Sequence, residues 1–208
     1  MAPTIYAARI TYTEPLLGSA PLNADVYTDY IAAKAPPAAH ANGTAAAEVE
    51  TIEEIDIKGR TGFHRGDNGA PLLLDYHWKG FFKEAWQSSR QIPGSESAAL
   101  KTGKSRIDQL VFVEPRYIVL HLPAGGKEET LERPLRAETA KGPRVALAAS
   151  DMLPAGTWCD VRIVLLAPNV VGEALLREWL EYGRWRGMGG WRNGSFGRFT
   201  FNLKGYTR

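Results

Sequence analysis

Between Arg184 and Phe199 the chain reads RWRGMGGWRNGSFGRF, a stretch that few packed layers can accommodate. Five glycines, four arginines and four aromatic residues share these sixteen positions, and no acidic residue occurs from Gly183 to the C-terminus. Glycine opens positive φ and lets the main chain approach a bulky neighbour closely. Arginine carries a permanent charge on a planar fork suited to phosphate. Aromatic faces stack on unpaired bases. A hydrophobic core needs none of these at such density, so the segment predicts a surface loop shaped to hold nucleic acid.

Within it, Arg184, Arg186, Arg192 and Arg198 are candidates to neutralise phosphates, while backbone N–H groups at Gly187, Gly189, Gly190, Gly194 and Gly197 cradle them. The bland alternative is a solvated loop kept soluble by its arginines. Trp185 and Trp191 argue against it, because exposed tryptophan is unfavourable without a partner. Each either stacks a base or packs under the helix predicted at Tyr76. A second basic–aromatic cluster, Arg60, Phe63 and Arg65, lies in GRTGFHRGDNG and is either a secondary contact or an exposed hairpin tip. Lys79 stands beside Gly80, which permits close approach, and is a candidate backbone contact. Lys83 reads as the solvated side of the same helix. Lys101, Lys104 and Arg106 form a basic run around Gly103 and are expected in a flexible loop.

Charge distribution says more than charge balance. The net charge is only +2, yet Glu48, Glu50, Glu53, Glu54 and Asp56 form an acidic block far from the basic C-terminal end. That asymmetry favours a local anion-binding face. With 208 residues, 44% of them hydrophobic, the chain can bury one generous core. Its single cysteine, Cys159, excludes an intrachain disulfide and a cysteine-based zinc site, and reads as a buried inert thiol. No apolar run reaches the roughly 18–20 residues of a membrane span, and the N-terminus lacks a secretory pattern. A cytoplasmic protein is expected.

The element order follows from periodicity. Alternation over Ile5–Thr13 predicts a first strand. A short helix is expected over Ala24–Lys34, a low-complexity loop over Ala35–Ala47, and an acidic hairpin arm or helix over Val49–Arg60. Trp78, Phe81, Phe82, Ala85 and Trp86 recur at helical spacing and predict a helix over Tyr76–Arg90, with Asp75 as its N-cap. Strands are expected at Ile107–Val113, Tyr117–Leu122 and Arg144–Ala149, with a polar excursion over Pro123–Pro143. Thr157–Leu166 is the clearest strand, Val170–Tyr182 a helix, and Arg198–Leu203 a closing strand. The order approximates βα…β…βαβ. It predicts an α+β fold: a ferredoxin-like (RRM-like) antiparallel sheet with helices on one face, long insertions and a C-terminal Gly-rich loop. One domain over residues 1–208 is expected, with an inserted arm at about 20–60.

Four stretches carry a family likeness. Thr11–Ser19 (TYTEPLLGS) is similar to a first strand ending in a "PL-x-x-G-S"-like turn. Leu72–Ala85 (LLLDYHWKGFFKEA) is similar to a helix opening on "G-S-S-x-K-G", although Gly-Ser is missing before Lys79. Leu153–Trp158 resembles "V-P-x-G-T-x-F", and Gly187–Phe199 resembles "G-x-G-x-x-x-x-G-x-G-R-x". In this order they resemble the RAMP superfamily, whose members are RNA-gripping backbone and guide-processing subunits of CRISPR effector complexes. The chain is also similar to small phage and prophage proteins. The resemblance implies an RRM-like fold that binds single-stranded nucleic acid, RNA or DNA, and assembles as a homo-oligomer or filament along it. It also admits a CRISPR-type nucleoprotein complex as partner, and a bacterial host cytoplasm as the setting.

For catalysis the residues offer little. His40, His64, His77 and His121 show no metal-ligand spacing, so no metal and no cofactor are expected. Guide-processing relatives use a histidine in metal-independent RNA transesterification, which makes His64 and His77 the residues to watch. Some backbone subunits use an aspartate on the arm, where Asp25 and Asp29 fall. There is no Walker A loop and no nucleophile elbow, and Gly187-Met188-Gly189 follows a helix where a dinucleotide fingerprint needs a strand. The expectation is a non-catalytic binder. The alternatives are an RNA endonuclease and a phage decoy or inhibitor that binds an effector complex.

Overall fold

A computed structural model describes residues 3–22, 60–139 and 142–207. Thr4–Tyr12 forms strand β1, followed by the short strands β2 (Leu16–Leu17), β3 (Ala20–Pro21), β4 (Arg60–Gly62), β5 (His64–Arg65) and β6 (Pro71–Leu74). Helices α1 (Asp75–Ser89), α2 (Glu96–Ala99) and α3 (Gly103–Leu110) come next. Strands β7 (Val111–Glu114), β8 (Tyr117–Val119), β9 (Glu129–Thr139), β10 (Gly142–Leu153) and β11 (Trp158–Leu165) precede helix α4 (Glu173–Arg186) and the last strand, β12 (Phe199–Thr207). The expected helix at Ala24–Lys34, the loop at 35–47 and the arm up to residue 59, with Asp25, Asp29 and His40, lie outside the described residues.

Strict alternation builds the central layer. Four strands pair antiparallel in the order β12-β1-β11-β7. On β1, Tyr6, Ala8, Ile10 and Tyr12 face inward, and their β11 partners Ile163, Val161 and Cys159 stand beside them. Strand side chains alternate between faces, so one face becomes wholly apolar and the other carries Arg9, Asp160 and Arg162. Helices α1 and α4 cover the apolar face. Trp78, Phe81, Phe82, Ala85 and Trp86 of α1 are all buried, as are Leu175, Leu176, Trp179 and Leu180 of α4. Cys159 is buried there too, and burial pushes its thiol up to about 12, so it stays protonated and inert.

Two further sheets flank this layer. β10 pairs with β9 from Gly142 to Met152, and on its other edge with β2 and, in parallel, with β4, which in turn pairs with β3. β6 joins β5 to β8. The chain is therefore α+β, with antiparallel and mixed sheets.

Three expectations need correcting. Residues 103–110 are helical, so Ile107 belongs to α3 and not to a strand. Gly103 lies flat on the Trp86 ring and Ile107, one turn on, is buried beside it, while Lys104 and Arg106 stay in water. That is helical spacing hidden by the adjoining Val111-Phe112-Val113 run. The "polar excursion" is largely β9, pairing with β10 at eleven positions from Thr139↔Gly142 to Glu129↔Met152. Lastly, Leu74 rather than Asp75 is the N-cap of α1, and its N–H donates to His77 Nδ1 at 3.1 Å.

Phe199 ties these layers together. It meets Tyr12, Trp78 and Phe81 at ring-centroid distances of 6.0, 5.8 and 5.4 Å. Its ring fills the space a side chain at Gly183 would need. Phe199→Ala is expected to cost about 3–5 kcal/mol of stability, as large-to-small changes in a packed core do. A urea unfolding series against the parent checks it.

Candidate nucleic-acid interface

The predicted loop begins one turn later than the sequence suggests. Arg184, Trp185 and Arg186 are still helical, in the last turn of α4. Gly187 ends the helix at φ +70°, and its N–H returns to Gly183 O at 3.0 Å. From there the main chain is sewn to the turn after β1. Gly190 N–H donates to Leu17 O at 2.9 Å, Met188 N–H to Gly197 O at 2.9 Å, and Gly197 N–H to Pro15 O at 2.8 Å. At Gly197 the reason for glycine is plain: φ is +70° and a Cβ would collide with Met188 O. Gly189 and Gly190 lie against Leu17 O and Gly18 O in the same way.

The glycines therefore act mainly in backbone-to-backbone packing. The N–H groups of Gly187, Gly190, Gly194 and Gly197 are held internally and do not form the expected phosphate cradle. The loop's rigidity, not its N–H groups, is what the glycines supply.

The cations divide into groups. Arg186 donates through Nε to Glu84 Oε1 at 2.8 Å and through Nη1 to Asn193 Oδ1 at 2.5 Å. Arg192 pairs with the other oxygen of Glu84. Burial alone would push the Glu84 carboxyl up, but hydrogen bonds from Arg186 and Arg192 outweigh it and hold the group below its ordinary value. Arg184 makes an exposed pair with Glu181 at 2.9 Å. Arg198 has its Nε shielded from solvent with no acceptor among the described residues.

The two loop tryptophans differ. Trp185 is 75% exposed at the end of α4. Trp191, at φ +44°, stacks on Phe196 with centroids 5.2 Å apart, and the Arg133 guanidinium of β9 sits 4.0 Å from its ring. Such a backbone angle is strained for a bulky residue and needs neighbours that hold it. Trp191 still shows 42% of its surface.

The remaining candidates stand apart from the loop. Lys79 faces α3 and β7, donating to Asp108 O at 3.2 Å with its ammonium 4.2 Å from the Phe112 ring. Lys83 pairs with Asp108 at 2.5 Å. Phe63 is buried. Arg60 and Arg65 converge on the buried carboxylate of Asp151 at 2.7 and 3.3 Å, and Arg65 also pairs with Glu128.

A cavity of about 360 Å³ lies between α1 and the loop, lined by Tyr76, His77, Gly80, Glu84, Gly189 and Arg192, among others. The sequence did not single out Glu84, although its place one turn after Gly80 puts it on the face that meets the loop. His64 and His77 are neighbours, with ring centroids 5.8 Å apart. A wider cavity of about 600 Å³ opens on the outer sheet face beside Arg9, Asp160, Arg162, Asn202 and Lys204. Its arginines pair at 2.7 Å (Arg9–Asp160) and 3.0 Å (Arg162–Glu114). Among the described residues no cluster of ligating side chains is placed to hold a metal, and no helix is long and apolar enough to cross a membrane.

No protein-family model matches the chain, and no curated protein sequence matches it. Among solved structures it is similar in fold to a chain of the cryo-EM structure of the Type III-B Cmr-beta bound to cognate target RNA. The TM-score is 0.54 at 10% sequence identity, over 99% of this chain and 61% of that one. The chain thus spans less than two thirds of its structural neighbour's length.

Burial, then the neighbouring charge of His64, lowers the His77 imidazole to about 4 from an ordinary 6.5. The unfolded chain takes up this proton at a higher pH than the folded one, so stability present above 6.5 is lost as pH falls toward 4. Replacing His77 with Gln is expected to flatten that part of the pH profile, read from urea midpoints across the window.

Proposed function

We propose that the chain is a non-catalytic single-stranded nucleic-acid-binding protein of the RAMP type, with a ferredoxin-like (RRM-like) fold. In this reading it is encoded by a phage or another mobile element, acts in the bacterial cytoplasm and oligomerises along its ligand. The strand order β12-β1-β11-β7 with two helices over one face is the order expected of that fold and supports the assignment. One observation carries the ligand reading. The last turn of α4 presents Trp185, 75% exposed, and the part-exposed Arg186, and the rigid loop that follows adds the part-exposed Arg192, which lines a cavity.

Physically, the stacking platform and the cations do different work. Phosphate neutralisation supplies affinity irrespective of sequence and makes it fall with salt. Stacking on an aromatic face adds about 1–3 kcal/mol per base and tolerates any base. Little base readout is therefore expected. RNA is the first ligand to try, because the chain of similar fold comes from a Type III-B Cmr-beta structure that is bound to cognate target RNA.

A second reading, metal-independent RNA cleavage, draws on the His64–His77 pair 5.8 Å apart and on the place of His77 beside the loop cavity. Incubating structured RNA with the protein in chelator separates the two: intact RNA favours the binder, and cleavage abolished by His77→Ala favours the nuclease.

Binding to a labelled oligouridylate is expected to weaken steeply with added KCl, at about 0.7 log units per phosphate contact per log unit of salt. Trp185→Ala is expected to lose about 1–3 kcal/mol of binding. Arg192→Ala combined with Arg198→Ala is expected to weaken binding and flatten the salt slope. Unchanged affinity in the double variant would remove the loop from the interface. Gel filtration with and without the oligonucleotide tests assembly, with ligand-dependent growth expected. A monomer indifferent to nucleic acid would favour a decoy that binds an effector complex instead.

A further inference from the structure

We propose that the Glu84 carboxylate occupies a phosphate subsite, and that a backbone phosphate of single-stranded nucleic acid takes its place on Arg186 and Arg192. The inference rests on the binding reading of the loop and deepens it by assigning one phosphodiester position. Glu84 projects from α1, while the two arginines come from the end of α4 and from the loop, so the cluster spans the seam between them. Each carboxylate oxygen serves one guanidinium, with Arg186 Nε at 2.8 Å from Oε1 and Arg192 Nη1 on Oε2. Two cations therefore share one anion, and the site keeps a net positive charge.

A phosphodiester presents two anionic oxygens to arginine much as a carboxylate does, and arginine binds either through the same N–H groups. Exchange replaces like with like and leaves both guanidinium groups in position. Asn193 steadies the Arg186 fork at 2.5 Å throughout.

Access is open. The side chains of Glu84, Arg186 and Arg192 keep about 30% of their surface, at 29%, 31% and 30%. Beside them lies the 360 Å³ cavity, and Gly80 leaves the α1 face bare, with nothing within 4 Å of where its Cβ would be. Once displaced, Glu84 turns to solvent. Its own pairing is then a built-in competitor: a ligand must offer more than an isolated anion to win the site, which favours a polyanion with further contacts on the loop. Glu84 is thus a specificity-determining residue that sets the threshold for binding.

The test compares the parent protein, Glu84→Gln and a charge control, Glu181→Gln, which removes the exposed partner of Arg184. Each is titrated with labelled oligouridylate by fluorescence anisotropy over a range of KCl. Glu84→Gln is expected to bind at least about tenfold tighter, the scale of one charge-assisted hydrogen bond. Its log–log salt slope should stay close to that of the parent, because the same phosphates are neutralised in both complexes and only the competition from Glu84 is gone. Glu181→Gln is expected to change little. If the parent binds but Glu84→Gln, folded by circular dichroism, binds equally or more weakly, the subsite is overturned and the functional reading stands. If the parent shows no salt-dependent binding, both fall. Should Glu84→Gln fail to fold, the Arg186 and Arg192 Nε–H resonances of the parent decide: movement on adding oligouridylate supports the exchange, and fixed signals overturn it.

Discussion

The architecture turns on the meeting of Phe199 with Gly183. A helix that must lie close over a sheet needs a bare position where a large ring rises from the strand below, and Gly183 is that position. The ring, wedged among Tyr12, Trp78 and Phe81, joins α1, α4, β1 and β12 in one contact. It also fixes both ends of the segment 187–198. With its ends set by the core and its middle bonded to Pro15 and Leu17, the glycine-rich stretch becomes a rigid part of the frame. A binding surface built on such a segment loses little conformational entropy when a ligand arrives.

Carboxylates organise the cations around this frame. Asp151, buried on β10, gathers Arg60 and Arg65 and so ties two flanking sheets together. Glu84 gathers Arg186 and Arg192 across the helix–loop seam. The two differ in depth: the Asp151 side chain is 5% exposed, whereas that of Glu84 is 29% exposed. Burial makes the first pairing costly to break, because a lone charge left inside is poorly solvated. The second lies where water and other anions can reach it. Similar chemistry at two depths thus gives a fixed joint in one place and an exchangeable one in the other.

Much of the frame was legible in the sequence because it obeys short-range periodicity. The stripe Trp78, Phe81, Phe82, Ala85, Trp86 and the alternation in β1, β11 and β12 are local patterns, and each is buried as its spacing implies. Helix α3 was missed because it is short and abuts an apolar strand, so Ile107 reads equally well as either. β9 was missed because its polar composition masks a partner supplied by β10. At the site the residue types were readable, whereas the exposure of Trp185 was not, since base stacking and packing under α1 both fit its sequence context. Nor was the role of Glu84, since its partners stand 102 and 108 positions away and only the packing of α1 on α4 brings them together. The glycines were recognised, but the N–H groups of Gly190 and Gly197 turn inward, a fact that depends on the tertiary contact with Leu17 and Pro15.

The pairing of β3 with β4 has a consequence for how such a chain can change. Ala20 lies opposite Gly62 and Pro21 opposite Thr61, so two points forty residues apart in the chain are paired neighbours in the frame. Closing a connection between adjacent ends costs only about 0.6 kcal/mol for each doubling of its length. The intervening stretch can therefore lengthen, shorten or be exchanged over generations while the strands at its root stay paired.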